Sequence, residues 1–287
     1  MREFVITTDS TVDLPKEYMQ GKGVPVISLS YIIDGTTYKD MEGLSSKEFF
    51  DKVRNGSMPT TSQVNPEQAR EVFESILASG KDILHLGFSS GLSGSYNSEN
   101  LAGEALKEKY PEAKIYVIDS LCASMGQGLL LRQMVTQKEQ GKSIEEIHTW
   151  TQENKYKVCH TVTVDDLNHL HRGGRVSKAT AVLGSLVKIK PIIYVSDAGK
   201  LEVVGKERGR KKALHKIVEM MWENSEGCVH DEIMITHGDC IEEAQYVENI
   251  IKEKLPSVHI LIQPIGSVIG SHTGAGVVAV FYMGNKR

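Results

Sequence analysis

The chain has 287 residues, of which 40% are hydrophobic and 24% charged, which is typical of a globular protein long enough for two ordinary domains. A formal net charge of -4 counts against a general nucleic-acid surface, which needs a basic excess. The four cysteines lie far apart without a CxxC pair, and the first residues lack the apolar stretch of a signal peptide, so we expect free thiols and a cytoplasmic protein. The longest apolar segment, Gly276–Gly284, is too short to span a membrane.

In the first half of the chain, short apolar runs alternate with amphipathic segments. The predicted strands are Phe4–Thr7, Val24–Ser30, Asp82–Phe88 and Lys114–Ile118, and the predicted helices are Ser45–Asn55, Pro66–Ser79, Tyr96–Lys109 and Ser124–Gln140. Ser45, with Glu48 three residues later, is typical of a capping box. Such βα repetition predicts a parallel sheet covered on both faces. A further helix ending near Asn154 completes a predicted first domain, residues 1–156.

From Lys157 the pattern changes. The predicted strands are Lys157–Thr163, Ile189–Val195, Leu201–Gly205, Glu232–Thr236, Val258–Pro264 and Val277–Tyr282, and the predicted helices are Gly209–Ser225 and Ile241–Leu255. The turn Asp197–Lys200 has hairpin length, so the second sheet is expected to be mixed. Residues 157–287 are therefore predicted to form a second α/β domain, with a ligand cleft between the two domains.

The segment Asp82–Ser98, DILHLGFSSGLSGSYNS, leads from a buried strand through a Gly/Ser loop into a helix. Such a turn directs backbone N–H groups and hydroxyls at one point, which favours an anion or a developing negative charge. Gly91–Ser95 nearly matches the GxSxG elbow of serine hydrolases, but Ser95 replaces the final glycine. Ser93 is thus interpreted as a nucleophile, as a binding hydroxyl, or as part of a polar turn that caps the helix.

A second small-residue loop, Gly270–Gly276 (GSHTGAG), is predicted just before the last strand. Its small residues allow close backbone approach to a ligand and are expected to leave amides free. If the fold brings His272 to Ser93, the pair forms a carboxylate clamp or a catalytic pair. Asp165 and Asp239 precede the histidine, so the order Ser, Asp, His of a hydrolase triad is available. A lone histidine is nevertheless more often structural than functional.

Two polar segments give weaker signals. Pro59–Gln63 (PTTSQ) reads as a polar loop between two helices, where hydroxyls usually serve turns and caps. Lys206–Lys212 is the densest basic run, and a solvated surface is favoured over a nucleic-acid site because the whole chain is acidic. The sequence contains no GxxxxGK[ST] motif, so a P-loop nucleotide site is not predicted.

The run His169–Arg175, HLHRGGR, combines imidazoles with arginines. On a strand or loop, His169 and His171 supply only two metal ligands without an obvious third, so no metal site is predicted. Arg172 and Arg175 favour binding of a carboxylate, a phosphate or the acidic surface of a partner.

Six motifs in order resemble the DegV family of bacterial fatty-acid-binding proteins: ITTDSTVDLP, PTTSQ, SSGLSGSYNS, VIDS, HRGGR and GSHTGAG. The resemblance runs from the first strand to the last. It implies a two-domain α/β fold with a parallel α/β/α N-terminal domain, a mixed-sheet C-terminal domain and a lipid tunnel between them. It also implies a long-chain fatty acid as ligand, with the tail buried and the carboxylate held between the domains, and neither a cofactor nor catalytic residues.

In the best understood members of that family, the protein is the acyl-binding subunit of a fatty-acid kinase. A separate ATP-dependent kinase subunit phosphorylates the bound carboxylate, which gives acyl phosphate for phospholipid synthesis. The resemblance therefore implies a kinase subunit as partner, with Arg172 as a residue that engages it. It implies no nucleic acid and no transmembrane segment, although transient contact with a membrane surface is compatible with it.

Carried onto this sequence, the head-group contacts of the family fall on Thr61, Ser93 and His272, assisted by backbone amides. The full ligand-binding set that the resemblance implies is Thr61, Ser62, Ser93, Gly94, His272, Thr273, Gly274, Ala275 and Gly276. Relatives often have proline where this chain has Ala275, so a looser loop is expected here. A serine hydrolase or acyltransferase that uses Ser93 and His272 remains the alternative hypothesis.

Overall fold

The computed structural model describes residues 2–165, 167–177 and 188–287. The described strands are β1 (Phe4–Asp9), β2 (Val26–Ile27), β3 (Ser30–Ile33), β4 (Thr36–Lys39), β5 (Thr60–Ser62), β6 (Asp82–Gly87), β7 (Ile115–Asp119), β8 (Val158–Thr163), β9 (Ile189–Val195), β10 (Leu201–Arg208), β11 (Glu232–His237), β12 (His259–Pro264) and β13 (Val278–Met283). The described helices are α1 (Lys16–Gly21), α2 (Ser46–Arg54), α3 (Pro66–Ala78), α4 (Ser95–Lys109), α5 (Met125–Glu139), α6 (Ile144–Asn154), α7 (Asn168–Arg172), α8 (Arg210–Asn224), α9 (Ile241–Lys254) and α10 (Ser267–Thr273).

The first sheet is parallel, as predicted, with strand order β2-β1-β6-β7. Each residue of β6 is buried, because helices α3, α4 and α5 all contact this strand. A fully buried central strand explains why its sequence, DILHLG, lacks the alternation of a half-exposed strand. The predicted capping box is present at α2, where the Ser45 hydroxyl accepts the Glu48 N–H.

The second sheet is mixed, as predicted, with order β10-β9-β8-β13-β11-β12. Only the β11–β12 pair is parallel among its described pairings. Helices α8 and α9 pack on one side in their own apolar cluster. Helix α5 contacts both large sheets, and one core cluster contains Ile6 of β1 together with Phe281 of β13. We propose a domain boundary near residue 156, across which this shared core is continuous.

The prediction of a single strand at Val24–Ser30 is wrong, because the chain there forms β2 and then β3. The Leu29 amide donates to the Ser10 hydroxyl at 3.1 Å, which ends the pairing with β1. Likewise, part of Pro59–Gln63 is not a loop. Thr60–Ser62 forms β5, which pairs with β3 opposite Tyr31 at Thr61, in a small antiparallel sheet of order β4-β3-β5.

Two further predicted loops contain helices. Ser267–Thr273 forms α10, so His272 lies in the last helical turn rather than in an open loop. The HLHRGGR motif (His169–Arg175) contains most of α7, which spans Asn168–Arg172. Both helices are short and rich in glycine or polar residues, so tertiary contacts stabilise them rather than propensity. Helices α7 and α10 contact each other, which brings the two motifs together.

Candidate functional site

A cavity lies where the loop after β6 meets the inner face of the second sheet. Its volume is about 150 Å³. Its apolar lining consists of Leu29, Phe88, Leu92, Ala123, Val162, Leu170, Val195, Leu201, Ile265, Val268, Ile269, Val277, Ala279 and Phe281. The last three alternate along the chain into β13, so they lie on one face. The lining therefore suits an apolar ligand.

Polar groups from three separate elements also line this cavity. The Thr61 hydroxyl oxygen on β5 lies 2.8 Å from His272 Nε2 at the end of α10. The Ser93 hydroxyl precedes α4, accepts the Ser95 N–H at 3.2 Å and lies 3.0 Å from the Ser95 hydroxyl oxygen. The three side chains that the family resemblance assigned to the head group thus all line this cavity, and together they form what we call its polar wall. Their role in binding stays a prediction.

His272 is neutral near neutral pH. Burial, followed by the positive charges of Arg175 and His169, lowers the pKa of His272 to about 4. Its Nδ1 atom has no hydrogen-bond partner in the described part of the chain and lies against Gly173, where a Cβ atom would be 2.1 Å away. Because Gly173 covers Nδ1, the Nε2 atom is the one available to the Thr61 hydroxyl and to a ligand.

Arg175 lines the cavity. The sequence favoured an anion or an acidic partner surface for this arginine, whereas the family resemblance did not include it in the ligand-binding set. Its Nε donates to the Leu92 carbonyl at 3.0 Å, and Nη1 donates to the Gly173 carbonyl. One guanidinium thereby connects the loop containing Ser93 with the end of α7 and supplies positive charge beside the polar wall. Arg172 is instead exposed, with Nη2 lying 2.8 Å from His169 Nδ1.

The expectation of free amides in the GSHTGAG motif (Gly270–Gly276) is wrong at two positions. The Gly274 N–H donates to the Gly270 carbonyl, and the Gly276 N–H donates to the Gly238 carbonyl, both at 2.8 Å. The Thr273 hydroxyl donates to the Ile269 carbonyl at 3.2 Å, as helical threonines commonly do. Hydrogen bonds within the protein thus occupy these groups.

Ser62, Gly94 and Ala275, which also belong to the predicted set, are not among the residues that line the cavity. Gly94 lies against Gln63, whose Oε1 would be 2.3 Å from a Cβ atom at Gly94. Ser62 is exposed, and Ala275 is partly buried against the apolar core. A role for these three positions in binding stays a prediction.

The hydrogen-bond geometry gives no support to the hydrolase hypothesis. The hydroxyl of Ser93 is paired with Ser95, while His272 Nε2 is paired with Thr61. The candidate acids are engaged elsewhere: Asp165 with Lys190 and Asp239 with Arg54. Among the described residues, therefore, no carboxylate orients His272, as a catalytic triad requires.

The other motifs have structural explanations. Within the basic run Lys206–Lys212, Arg210 begins α8 and donates to the Glu243 carboxylate and the Gly276 carbonyl. It therefore holds the end of the GSHTGAG motif in place. The four cysteines are free, as predicted. No helix in the described ranges is both long enough and apolar enough to cross a membrane.

A comparison with protein-family models matches residues 3–285 to the model described as an uncharacterised protein of the DegV family. The chain belongs to the DegV family. A DegV domain-containing protein from Clostridium perfringens is 46% identical over 289 aligned residues, which cover 100% of this chain and 99% of the relative.

Solved structures of DegV proteins share the fold. A structure described as fatty-acid binding of a DegV family protein from Thermus thermophilus is 31% identical, covers 99% of this chain and 100% of its own, and gives a TM-score of 0.88. DegV from Bacillus subtilis, described as a fatty-acid-binding protein, is 30% identical with the same coverage and a TM-score of 0.86. The parallel sheet and the mixed sheet of this chain are thus those of the DegV fold.

Proposed function

We propose that this DegV protein binds a long-chain fatty acid, with the acyl tail in the apolar cavity and the carboxylate at the polar wall. The observation that carries the proposal is one largely apolar cavity whose lining also includes the hydrogen-bonded Thr61–His272 pair and Ser93. The relatives described as fatty-acid-binding proteins support the same ligand class. Fatty-acid binding is described for these DegV relatives. The roles of individual residues in this chain are part of the proposal.

Most of the binding free energy comes from the tail. Burial of about fourteen methylenes at ~0.8 kcal/mol each gives a gross gain of about 11 kcal/mol, before the several kcal/mol that association costs. A hydrogen bond to a charged acceptor contributes only about 1.5–3 kcal/mol. The head-group contacts therefore mainly orient the ligand and select a carboxylate.

At the polar wall, Thr61 and Ser93 donate hydroxyl hydrogens to the carboxylate. Neutral His272 donates its Nε2 hydrogen to the carboxylate in place of its hydrogen bond with Thr61. Arg175 supplies the positive charge that an anionic head group needs in a partly desolvated site. Its contact with the Leu92 carbonyl fixes it beside Ser93. The protein itself performs no chemistry on the ligand in this proposal.

The bound carboxylate is presented to a separate ATP-dependent kinase subunit, which phosphorylates it to acyl phosphate for phospholipid synthesis. Two features support such a partner surface. Arg172 is exposed at the end of α7, and the next residue, Gly173, contacts the His272 ring. An exposed cation thus lies one residue from the wall where the carboxylate would be held, as docking of a kinase over the head group requires.

The first experiment is native mass spectrometry of freshly purified protein, followed by analysis of an organic extract. A stoichiometric adduct that is released as free fatty acid supports the proposal. A bare protein that also fails to take up added stearate contradicts it, and an adduct that survives denaturation on Ser93 supports an acyl-enzyme instead. The kinase role is tested separately by loading the protein with labelled stearate and measuring acyl phosphate formation with a DegV-dependent kinase subunit. Wild type should support turnover, and Arg172→Ala should lower it without changing retention of stearate.

A further inference from the structure

Three ionisable side chains that the fatty-acid site does not use meet inside the first sheet. Asp9 ends β1, His85 lies on the neighbouring strand β6, and Glu99 projects from α4. Each has zero exposure, and one ligand atom from each lies within 4.8 Å of the others. Burial of so many charges needs compensation, because unpaired ionised groups are strongly disfavoured in a protein interior.

Glu99 lacks that compensation within the described residues. Neither of its carboxylate oxygens has a hydrogen-bond partner there. His85 Nε2 lies 3.1 Å from Glu99 Oε2, yet the atoms are not aligned as a hydrogen bond. Gly87 leaves room for this carboxylate, since a Cβ atom at Gly87 would lie 2.5 Å from Glu99 Oε2. Two oxygens and one nitrogen therefore point into the same buried space without partners.

The other contacts of the cluster hold its members in place. His85 Nδ1 lies 2.8 Å from the Thr7 hydroxyl oxygen. In the tautomer that donates the Nδ1 hydrogen to this oxygen, the Nε2 lone pair is directed at Glu99. Such an outer contact is usual for a metal-binding histidine. Asp9 accepts the Thr11 N–H at 2.9 Å and the Phe88 N–H at 2.6 Å. The Thr11 hydroxyl also donates to Asp9 Oδ1, at 2.5 Å, so both Thr11 bonds fall on that oxygen. The other oxygen, Oδ2, accepts the Phe88 N–H and keeps a lone pair for a further ligand.

We propose that Asp9, His85 and Glu99 bind one divalent first-row transition metal ion, with Zn²⁺ the best match. An imidazole with two carboxylates and no sulfur is a ligand set that Zn²⁺ accepts, whereas Mg²⁺ and Ca²⁺ prefer oxygen alone. Two carboxylates and a neutral imidazole carry two negative charges, which one divalent ion neutralises. Ligands about 2.0–2.2 Å from one ion are at most about 4.4 Å apart, which is comparable with the 4.8 Å within which the three ligand atoms lie.

A metal at this position would act on the loop beside the cavity. Asp9 holds the Phe88 N–H, and Phe88 lines the cavity. Glu99 belongs to the helix that starts at Ser95, directly after the loop containing Ser93. The ion would therefore crosslink β1, β6 and α4 around that loop. This site stands independently of the ligand that the cavity binds.

The competing arrangement uses protons in place of the metal. Burial and the charge of Glu99 raise the pKa of Asp9 to about 7, so Asp9 can bind a proton near neutral pH. Such a cluster would bind no metal. Titration with metal ions distinguishes the metal-bound cluster from the protonated one.

The test treats the full-length protein with a chelator, removes the chelator, and titrates it with Zn²⁺ and Co²⁺. Native mass spectrometry is expected to show one bound ion, with a raised unfolding temperature. The Co²⁺ spectrum is expected to show nitrogen and oxygen ligation without thiolate charge transfer. Glu99→Gln should lose the ion, while the matched control Glu104→Gln, an exposed residue of the same helix, should keep it. Failure to bind either ion at micromolar concentrations overturns the proposal, as does equal binding by Glu99→Gln.

A second variant covers the case in which Glu99→Gln does not fold. Thr7→Val removes only the hydroxyl beside His85 Nδ1 and nearly preserves side-chain shape. It should weaken Zn²⁺ binding by about 10–100-fold, the usual effect of losing an outer contact. Unchanged affinity, or thiolate charge transfer in the wild-type Co²⁺ spectrum, would place any bound ion elsewhere and overturn the proposal.

Discussion

Replacement of Ala279 by leucine should shorten the acyl chain that the cavity accepts. Ala279 is 2% exposed, lies on β13 and lines the cavity between Val277 and Phe281. Leucine adds three carbon atoms, which take the place of about three ligand methylenes. At ~0.8 kcal/mol for each methylene, the loss is about 2.4 kcal/mol, or roughly 50-fold in Kd. Because the new side chain fills existing space, we expect little loss of stability.

The assay is titration calorimetry with saturated fatty acids of increasing length. The Ala279→Leu variant should bind short chains like wild type and lose affinity only for chains long enough to reach Ala279. Circular dichroism and the unfolding temperature check that the variant is folded. Unchanged affinity for the longest chain, or an equal loss for every length, would refute the assignment of the tail to this cavity.

Three further predictions concern the polar wall. Thr61→Val should weaken binding of every chain length by about 1.5–3 kcal/mol, since it removes one hydrogen bond to a carboxylate, whereas the adjacent exposed Thr60→Val should leave calorimetric affinity unchanged. Gly173→Ala should displace the His272 ring and reduce stearate retention more than tenfold, because the added Cβ would lie 2.1 Å from Nδ1; Gly21→Ala, with open space around it, is the control, and equal retention by both variants would contradict the packing argument. Because the pKa of His272 is lowered from 6.5 to about 4, the unfolded chain binds a proton first, so this residue's contribution to the stability of ligand-free protein is complete above pH 6.5 and falls by at most about 3 kcal/mol as the pH drops to about 4. Urea unfolding of wild type and His272→Asn should show that difference, and parallel pH profiles would count against it.

Local sequence signals were sufficient for most of the fold. The capping box at Ser45 starts its helix as predicted, and the turn before Leu201 gives the predicted hairpin. The errors fall where a long-range contact decides the conformation. Ser10 ends the pairing of β2 by accepting the Leu29 amide, and Thr61 becomes part of a strand by pairing with Tyr31. Neither contact produces a pattern among neighbouring residues, so neither could be predicted from the local sequence.

The candidate site shows the same division. Thr61, Ser93 and His272 were singled out by residue type and by family resemblance, and they line one cavity. The role of Arg175 depends on its reach to the Leu92 carbonyl, 83 positions away along the chain. The cluster around Glu99 was missed for a related reason. A glutamate inside a predicted helix is normally expected to be solvated, and only the fold shows that Glu99 is completely buried.

The glycines of the two histidine motifs are explained by contact between the motifs rather than by ligand binding alone. Gly173 of the first motif lies against His272 of the second, while Gly274 of the second lies against His169 of the first, where a Cβ atom would be 2.5 Å from the ring. Gly274 also has φ of +75°, which most side chains disfavour. Each motif thus provides the space for the other's imidazole. A shift of His272 is therefore expected to shift α7 as well, which links the polar wall to the exposed Arg172 through a single packed unit.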